Sequence, residues 1–331
     1  MTVARLPSGY RVVLDAGTRS VDGGRVLIGG APLRIMRLSA AGARVVEGWR
    51  TPGPVPASDT AHRLARRLVG AGMAHPVPDR TTPPPPVTVV VPVRDDAEGL
   101  GRLLASLDPV LPVIVVDDGS ADAGEVASVA RRSHARLLRH DAPRGPAAAR
   151  NLGWRAADTP LVAFVDADVD VGTGAPAGAG SSGWLEALAA HFADPCVAAV
   201  APRVETDPGD APVWLAAYEM GASPLDMGPS PSEVRPGARV PYLPAAAIVV
   251  RRSALFAVGG FDESLRLGED VDLVWRLAAT GWSVRYEPSS AVAHRVRGDL
   301  GSWMGQRFGY GTSAAALDRR HRRAAPPLRV S

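Results

Sequence analysis

Leu161-Val-Ala-Phe-Val-Asp166-Ala-Asp168 is an apolar run that ends on two carboxylates one residue apart. Val, Phe and Val supply β-propensity, so the run reads as a buried strand. Asp166 and Asp168 then sit at its C-terminal tip, on the same side of an extended backbone. Two carboxylates held this close repel each other unless a cation lies between them. A divalent ion placed there would in turn hold a diphosphate, because Mg²⁺ takes one or two protein carboxylates plus phosphate oxygens. Acidic pairs after strands are common on surfaces, so this one gains meaning only from its surroundings.

Upstream, strand and helix patterns alternate. Val87-Thr-Val-Val-Val-Pro92-Val93 reads as a buried strand, and Leu100, Leu103, Leu104 and Leu107 mark an amphipathic helix. Val113-Ile-Val-Val116 is a second strand that ends at Asp117-Asp118-Gly119-Ser120. Another helix, a short strand near Leu137 and a helix from Ala147 to Ala157 lead to the Asp166 strand. Such alternation implies a Rossmann-like, mostly parallel α/β sheet with helices on both faces. Ligands bind beyond the carboxyl ends of the strands in open sheets of this kind. Asp95, Asp117, Asp118, Asp166 and Asp168 all fall at such ends, which points to one site. Two Gly-, Pro- and Ser-rich stretches, Gly172 to Gly183 and residues 221–241, read as long loops of the sort that cover sites.

Before Val87 lies a different unit. Arg11–Leu14 and Arg25–Ile28 are short strand candidates, and Val21-Asp22-Gly23-Gly24 supplies turn chemistry for a hairpin. Ser39 and Ser58 or Asp59 are N-cap candidates for two helices, and a last short strand follows Gly72. Residues 1–80 thus read as a small winged-helix-like α+β domain. Residues 81–86, with four consecutive prolines, form a stiff linker, and residues 87–331 form the larger domain.

Composition narrows the chemistry. The chain has 331 residues, 46% apolar residues and a formal charge of +3, with no dense basic run flanked by aromatics, so nucleic acid is not indicated. It contains no lysine, which excludes a P-loop and a Schiff base. The one cysteine, Cys196, excludes an intramolecular disulfide or a cysteine metal cluster. No signal-like segment or run of about 18 apolar residues is present. A cytoplasmic protein is expected, with membrane contact at most peripheral, at the inner face of the cell membrane.

Five segments stand in order: Val90-Val-Pro92-Val-Arg-Asp95, Val115-Val-Asp117-Asp118-Gly119-Ser120, Arg144-Gly145-Pro-Ala-Ala-Ala-Arg150-Asn151, Asp166-Ala-Asp168, and Gly268-Glu269-Asp270 opening a helix over Val271 to Ala279. As a set they resemble the inverting family 2 glycosyltransferases with the GT-A fold, over about Val87 to Ala316. The resemblance implies a nucleotide-sugar donor, usually UDP-linked. Asp117, with Asp118, would hold uracil and ribose, a carboxylate being a sensible acceptor for the N3–H; an ordinary Asp-Gly turn is the alternative. Asp95 suits either the nucleotide pocket or an N-cap for the Leu100 helix. Arg144 and Arg150 suit a diphosphate or a solvated helix start. Asp168, with Asp166, would hold Mg²⁺ or Mn²⁺, and His294 falls where many GT-A enzymes place a further ligand, although a lone histidine is often structural. Asp270 would be the base that deprotonates the acceptor, with Glu269 in support; helix-start charge is the alternative. Trp282, Tyr286, Trp303 and Tyr310 suit packing more than sugar stacking. Gln306 sits where processive members carry a Q-x-x-R-W motif, but that order is absent.

A closer resemblance is to the family 2 members of mycofactocin biosynthesis. It rests on the small first unit, the proline linker, Ser223-Pro-Leu-Asp226-Met227-Gly228 and Gly309-Tyr-Gly-Thr-Ser-Ala-Ala315. It implies transfer of a hexose, glucose from UDP-glucose, to a peptide-derived redox cofactor or its precursor. The first unit is similar to peptide-recognition domains that capture a peptide at a sheet edge, and is expected to recruit without taking part in chemistry. Those proteins continue past the point where this chain stops, at Arg329-Val-Ser331, so a shortened copy is expected, with a longer Gly172 to Gly183 loop. Rival readings are a polysaccharide or lipid-linked acceptor, and an inactive nucleotide- or peptide-binding scaffold, against which Asp166, Asp168 and Asp270 argue. A nucleotidyltransferase would want a basic, glycine-rich loop after the first strand, where Arg94-Asp-Asp-Ala-Glu98 is acidic.

Overall fold

The computed structural model describes residues 5–7, 9–81, 83–172, 183–296 and 300–321, with the side chain of Tyr310 excepted. Nearly all of the Gly172 to Gly183 loop, and Arg329-Val-Ser331, lie outside the described residues.

The first unit runs β1 (Arg11–Leu14), β2 (Arg19–Val21), β3 (Val26–Gly29), β4 (Arg34–Arg37), α1 (Ala40–Glu47), β5 (Gly53–Pro54), α2 (Asp59–Gly70) and β6 (Ala74–Val77). β1 lies between β5 and β6, and β3 lies between β2 and β4, all antiparallel. The β2–β3 turn places Asp22, Gly23 and Gly24 at φ of 52°, 59° and 87°. Two glycines and an aspartate reach that left-handed region at little cost. Ser39 Oγ accepts from the Gly42 N–H and Ser58 Oγ from the Ala61 N–H, so each hydroxyl caps its helix. Val12, Leu27, Trp49, Leu68 and Met73 close a core of their own. Residues 1–80 hold twelve arginines and five acidic residues, a net +7. The chain has 37 Lys+Arg and 34 Asp+Glu, which leaves 25 against 29 in the remainder, a net −4.

Pro83 to Pro86 carry no regular secondary structure. The larger domain then runs β7 (Val87–Val93), α3 (Ala97–Ser106), β8 (Val113–Asp117), α4 (Ala123–Arg132), β9 (Arg136–Arg139), α5 (Pro146–Arg155), β10 (Leu161–Val165), β11 (Val169–Asp170), α6 (Gly183–Ala189), β12 (Val197–Asp207), α7 (Val213–Ala222), β13 (Ser232–Glu233), β14 (Ala247–Arg251), α8 (Arg252–Val258), α9 (Glu269–Ala279), β15 (Ser283–Arg295) and α10 (Leu300–Arg320). Among the described residues these strands form one sheet in the order β11-β15-β12-β14-β10-β7-β8-β9, with β13 also on β15. Of the seven longer strands β9, β8, β7, β10, β14, β12 and β15, only β14 runs against the rest. The sheet is mostly parallel, as the alternation implies.

Period-2 patterning splits β7 between two cores. Val89 and Val91 pack with Leu100 and Leu103 of α3 and Val126 of α4, while Val90 packs with Trp154 of α5 and Phe164. At Gly153 α5 lies so close to the sheet that an added Cβ would stand 2.3 Å from Val90 Cγ1. The parallel strands bring the tips of β7, β8, β10, β12 and β15 to one edge.

Candidate active site

A cavity of about 640 Å³ opens beyond the tips of β7, β8 and β10, lined by Asp95, Asp118, Gly145, Arg150, Asp166 and Asp168 among others. Its floor is laced by short polar bonds. The Asp95 N–H donates to Ser120 Oγ (2.9 Å), and Asp95 Oδ1 accepts from the Ala121 N–H (2.8 Å). Asp95 has φ 54°, a strained value for a non-glycine residue. The N-cap of α3 is Asp96, which accepts from the Gly99 N–H, so Asp95 is left to the cavity. Asp118 accepts from His140 Nδ1 (2.7 Å) and from the N–H groups of Arg144 (2.9 Å) and Gly145 (2.7 Å). Burial alone would raise the Asp118 carboxyl, but these donors outweigh it and hold it below its ordinary range. They also fix the start of α5, where Gly145 takes φ 96° and Pro146 opens the helix.

Asp117 lies elsewhere. It is 0% exposed and is not among the cavity-lining residues. Its carboxylate accepts from the Ser120 N–H (2.8 Å) and from Arg139, its register partner on β9. The side chain of Arg144 turns to Glu263 (2.9 Å) and does not line the cavity.

Arg150 stands at the centre. Its buried guanidinium donates to Asp166 Oδ1 (2.7 Å) and Glu269 Oε1 (2.7 Å), joining the β10 tip to the start of α9. The reading of Arg150 as a diphosphate ligand is thus joined by a bridging role that spacing does not reveal. Asp168 faces His294: Nε2 and Oδ2 are 3.3 Å apart. Backbone pairing sets this up, since His294 is the register partner of Val169 and the Arg295 N–H donates to the Asp168 carbonyl (3.1 Å). Among the described residues no three His, Cys, Asp or Glu side chains form a cluster able to hold a metal by themselves. Asp168 and His294 are instead a carboxylate and an imidazole on one spot. That donor pair fits a divalent cation whose remaining ligands come from a diphosphate and water. Asp166 is engaged by Arg150 and stands beside them.

A second cavity of about 840 Å³ shares Pro146, Arg150, Asp166 and Asp168 with the first. Leu225, Tyr242, Trp275 and Leu317 make much of its lining apolar, and Glu269, Asp270, His294 and Gln306 reach it. Asp270 Oδ1 accepts from the Val271 N–H (2.8 Å) and Oδ2 from the Ala245 N–H (3.2 Å). Burial, then the charge of Glu269, pushes the Asp270 carboxyl up to about 6. These two effects override the helix start, whose N–H groups and dipole favour the ionised form.

The aromatic candidates divide. Tyr286 is buried, with its hydroxyl on the Gly228 carbonyl, and Trp282 packs against the core. The Trp303 indole donates to the buried carboxylate of Glu219, and Tyr310's side chain lies outside the described residues. Asn151 is a packing amide, bonded to Phe261, Glu263 and Trp154. Tyr242, Trp275 and the wall residue Ala245 escaped the sequence reading. The advance signal for Tyr242 and Ala245 is their place beside the Pro- and Gly-rich stretch at 221–241, and that for Trp275 is its place on the helix that Glu269 and Asp270 open.

The Glycosyl transferase family 2 profile matches residues 88–255. Along its whole length the chain is 45% identical, over 334 residues, to the pre-mycofactocin glycosyltransferase of Mycobacterium tuberculosis, of which it spans 68%. The N-acetylglucosaminyl-diphospho-decaprenol L-rhamnosyltransferase of the same species is 33% identical over 226 residues, covering 59% of this chain and 71% of that one. A mannosyltransferase from Pyrobaculum calidifontis, solved with GDP-Man and Mn²⁺, superposes with a TM-score of 0.55 at 23% identity, over 76% of this chain and 68% of that one, a likeness of fold. The profile spans β7 to β14, and the full-length likeness takes in the first unit, α9, β15 and α10 as well: this chain belongs to glycosyl transferase family 2, as a transferase of GT-A fold that resembles the mycofactocin-pathway enzyme.

Proposed function

We propose that the chain is an inverting, divalent-metal-dependent hexosyltransferase that moves glucose from UDP-glucose to a peptide-derived redox cofactor, mycofactocin, or its precursor. The observation that carries the reaction type is the pair of cavities sharing Arg150, Asp166 and Asp168. A donor in the first and an acceptor in the second would meet at that wall. Asp270 takes the acceptor hydroxyl proton, the freed oxygen bonds to the anomeric carbon, and the bond from that carbon to the diphosphate oxygen breaks on the opposite face. Glu269 and Arg150 hold the start of α9 in place. Asp168 and His294 would hold Mg²⁺ or Mn²⁺, which, when bound, offsets the charge of the departing diphosphate. The 45% identity to the pre-mycofactocin glycosyltransferase supports the acceptor class.

The first unit is the proposed recruiter of the peptide-derived acceptor. β4 is an edge strand of its sheet, Ile35 on it is 71% exposed, and the unit carries net +7. An extended, acidic peptide suits such an edge. A lipid-linked acceptor is the second reading. It is favoured by the rhamnosyltransferase likeness and by Trp214, Tyr218, Met304 and Phe308, which expose apolar surface on α7 and α10. No described helix is long and apolar enough to cross a membrane.

A UDP-release screen tests the proposal. Purified chain is incubated with UDP-glucose, UDP-galactose, UDP-N-acetylglucosamine or GDP-mannose, with Mn²⁺ or with EDTA. Release from UDP-glucose that needs Mn²⁺ is expected. Release from GDP-mannose alone, or equal release in chelator, would overturn the donor or the metal assignment.

A further inference from the structure

The wall of the acceptor cavity is tied to the first unit. After β13 the chain runs from Arg235 to Ala246, and its second half, Pro241, Tyr242, Pro244, Ala245 and Ala246, lines that cavity. Arg239 meets Asp15, just past β1, each terminal nitrogen on its own carboxylate oxygen at 3.0 Å. Arg235 donates to the carbonyls of Gly70 (2.6 Å) and Ala31 (3.3 Å). Gly70 closes α2, so this cation meets the negative end of a helix.

Asp15 is a built partner and not a passing surface carboxylate. It is 5% exposed and also accepts from the Gly17 N–H (2.9 Å) and pairs with His75 Nε2 (2.9 Å). Behind it Arg285 joins Glu233 (3.0 Å) and faces His75 Nδ1 at 3.4 Å. A guanidinium has donors only, so Nδ1 accepts and Nε2 carries the proton given to Asp15.

The far end of the same segment touches the chemistry. The Pro241 carbonyl accepts from Trp275 Nε1 (2.8 Å), the Ala245 N–H donates to Asp270 Oδ2 (3.2 Å), and the Ala246 carbonyl accepts from the Asp166 N–H (3.0 Å). Tyr242 and Pro244 line the cavity between these points. The path from Arg239 to Asp270 and Asp166 is thus a few residues of one chain segment, braced at both ends.

We infer that the first unit shapes the acceptor half of the site through this segment, with Asp15 and Arg239 as positioning residues. The catalytic consequence rests on the glycosyltransferase reading, while the brace itself concerns only order in the chain. The donor floor is laced separately, through Asp95 and Asp118, so it stays in place when the brace is cut.

Arg239→Ala tests this in the full chain. The side chain is 43% exposed, so its loss removes the ion pair without opening the core. Amide exchange over residues 242–247 is expected to quicken about tenfold, while the Arg144 and Gly145 amides, held by Asp118, keep their protection. UDP affinity in Mn²⁺ stays unchanged, and turnover of UDP-glucose with water as acceptor falls about tenfold. Arg239→Lys, which restores a point charge but not the fork, recovers part of both effects. Unchanged exchange over 242–247 would overturn the inference. So would equal quickening at Arg144 and Gly145 with a matching loss of UDP affinity, which is general loosening. A wild-type chain that turns over no UDP-sugar removes the glycosyltransferase reading and leaves the exchange measurements to decide the brace.

Discussion

At Asp270 opposing forces meet on one carboxyl. Burial and Glu269 raise it, the Val271 and Ala245 N–H groups and Arg150 lower it, and the balance falls at about 6. A carboxyl of that strength is mostly ionised at pH 7 yet holds a captured proton better than an exposed aspartate does. The transfer rate at saturating donor is therefore expected to fall as pH drops through about 6, because the protonated form accepts nothing. A rate that is flat from pH 5 to 8 would show that another group is the base. Asp270→Asn should lower kcat by about 10² or more while UDP binding in Mn²⁺ stays as it was. Asp168→Asn makes the complementary separation: it should weaken UDP binding measured in Mn²⁺ and leave binding in EDTA unaltered. Equal weakening under both conditions would make Asp168 a direct donor ligand or a structural residue.

Helix α5 shows how an element is placed by what a residue lacks. Alanine at position 153 would gain about 1 kcal/mol of helix propensity over glycine. Its Cβ would also stand 2.3 Å from Val90 Cγ1 and 3.2 Å from Val116 Cγ2, both on stiff β-branched side chains in the sheet. Overpacking of that kind costs about 1–3 kcal/mol, so Gly153→Ala should lower stability in chemical denaturation, and a stabilised variant would refute the close-packing argument. The elements around the first cavity were legible in sequence. β7, β8 and β10 are Val-rich runs that end in acids, and α3 repeats leucine at helical spacing. The rest of the sheet was less so. Val197 to Pro202 in β12 and Pro244 to Val250 around β14 are rich in alanine and valine without a period, which suits strand and buried helix alike. The Arg150–Glu269 bond joins residues 119 apart, and no local pattern encodes a pairing at that distance. Asp117 illustrates the converse: its motif was visible, but only the register of β9 reveals that Arg139 has claimed its carboxylate.

Across the whole molecule, burial holds His75, in the first unit, and His191, in the larger domain, below the ordinary imidazole range. Unfolded, both would take up a proton near pH 6.5; folded, both resist it. The unfolded state therefore binds more protons as pH falls through 6.5, and stability should drop between pH 7.5 and 6, by at most about 1.5 kcal/mol for the two together. The raised carboxyl of Asp270 works in the opposite sense and offsets about 0.4 kcal/mol by pH 6, so denaturation midpoints are best compared between pH 7.5 and 6 in the Asp270→Asn background; no decline there would show that neither histidine is buried neutral. The separation of charge has a different consequence. A total of +3 is the sum of a +7 unit and a −4 remainder, so the protein is an electric dipole more than a cation. Before a charged surface such a body rotates before it is drawn in, presenting the arginine-rich end to anions and the other end to cations. A cation exchanger should hold it far more firmly than a protein of the same total charge spread evenly, and an anion exchanger should retard it as well.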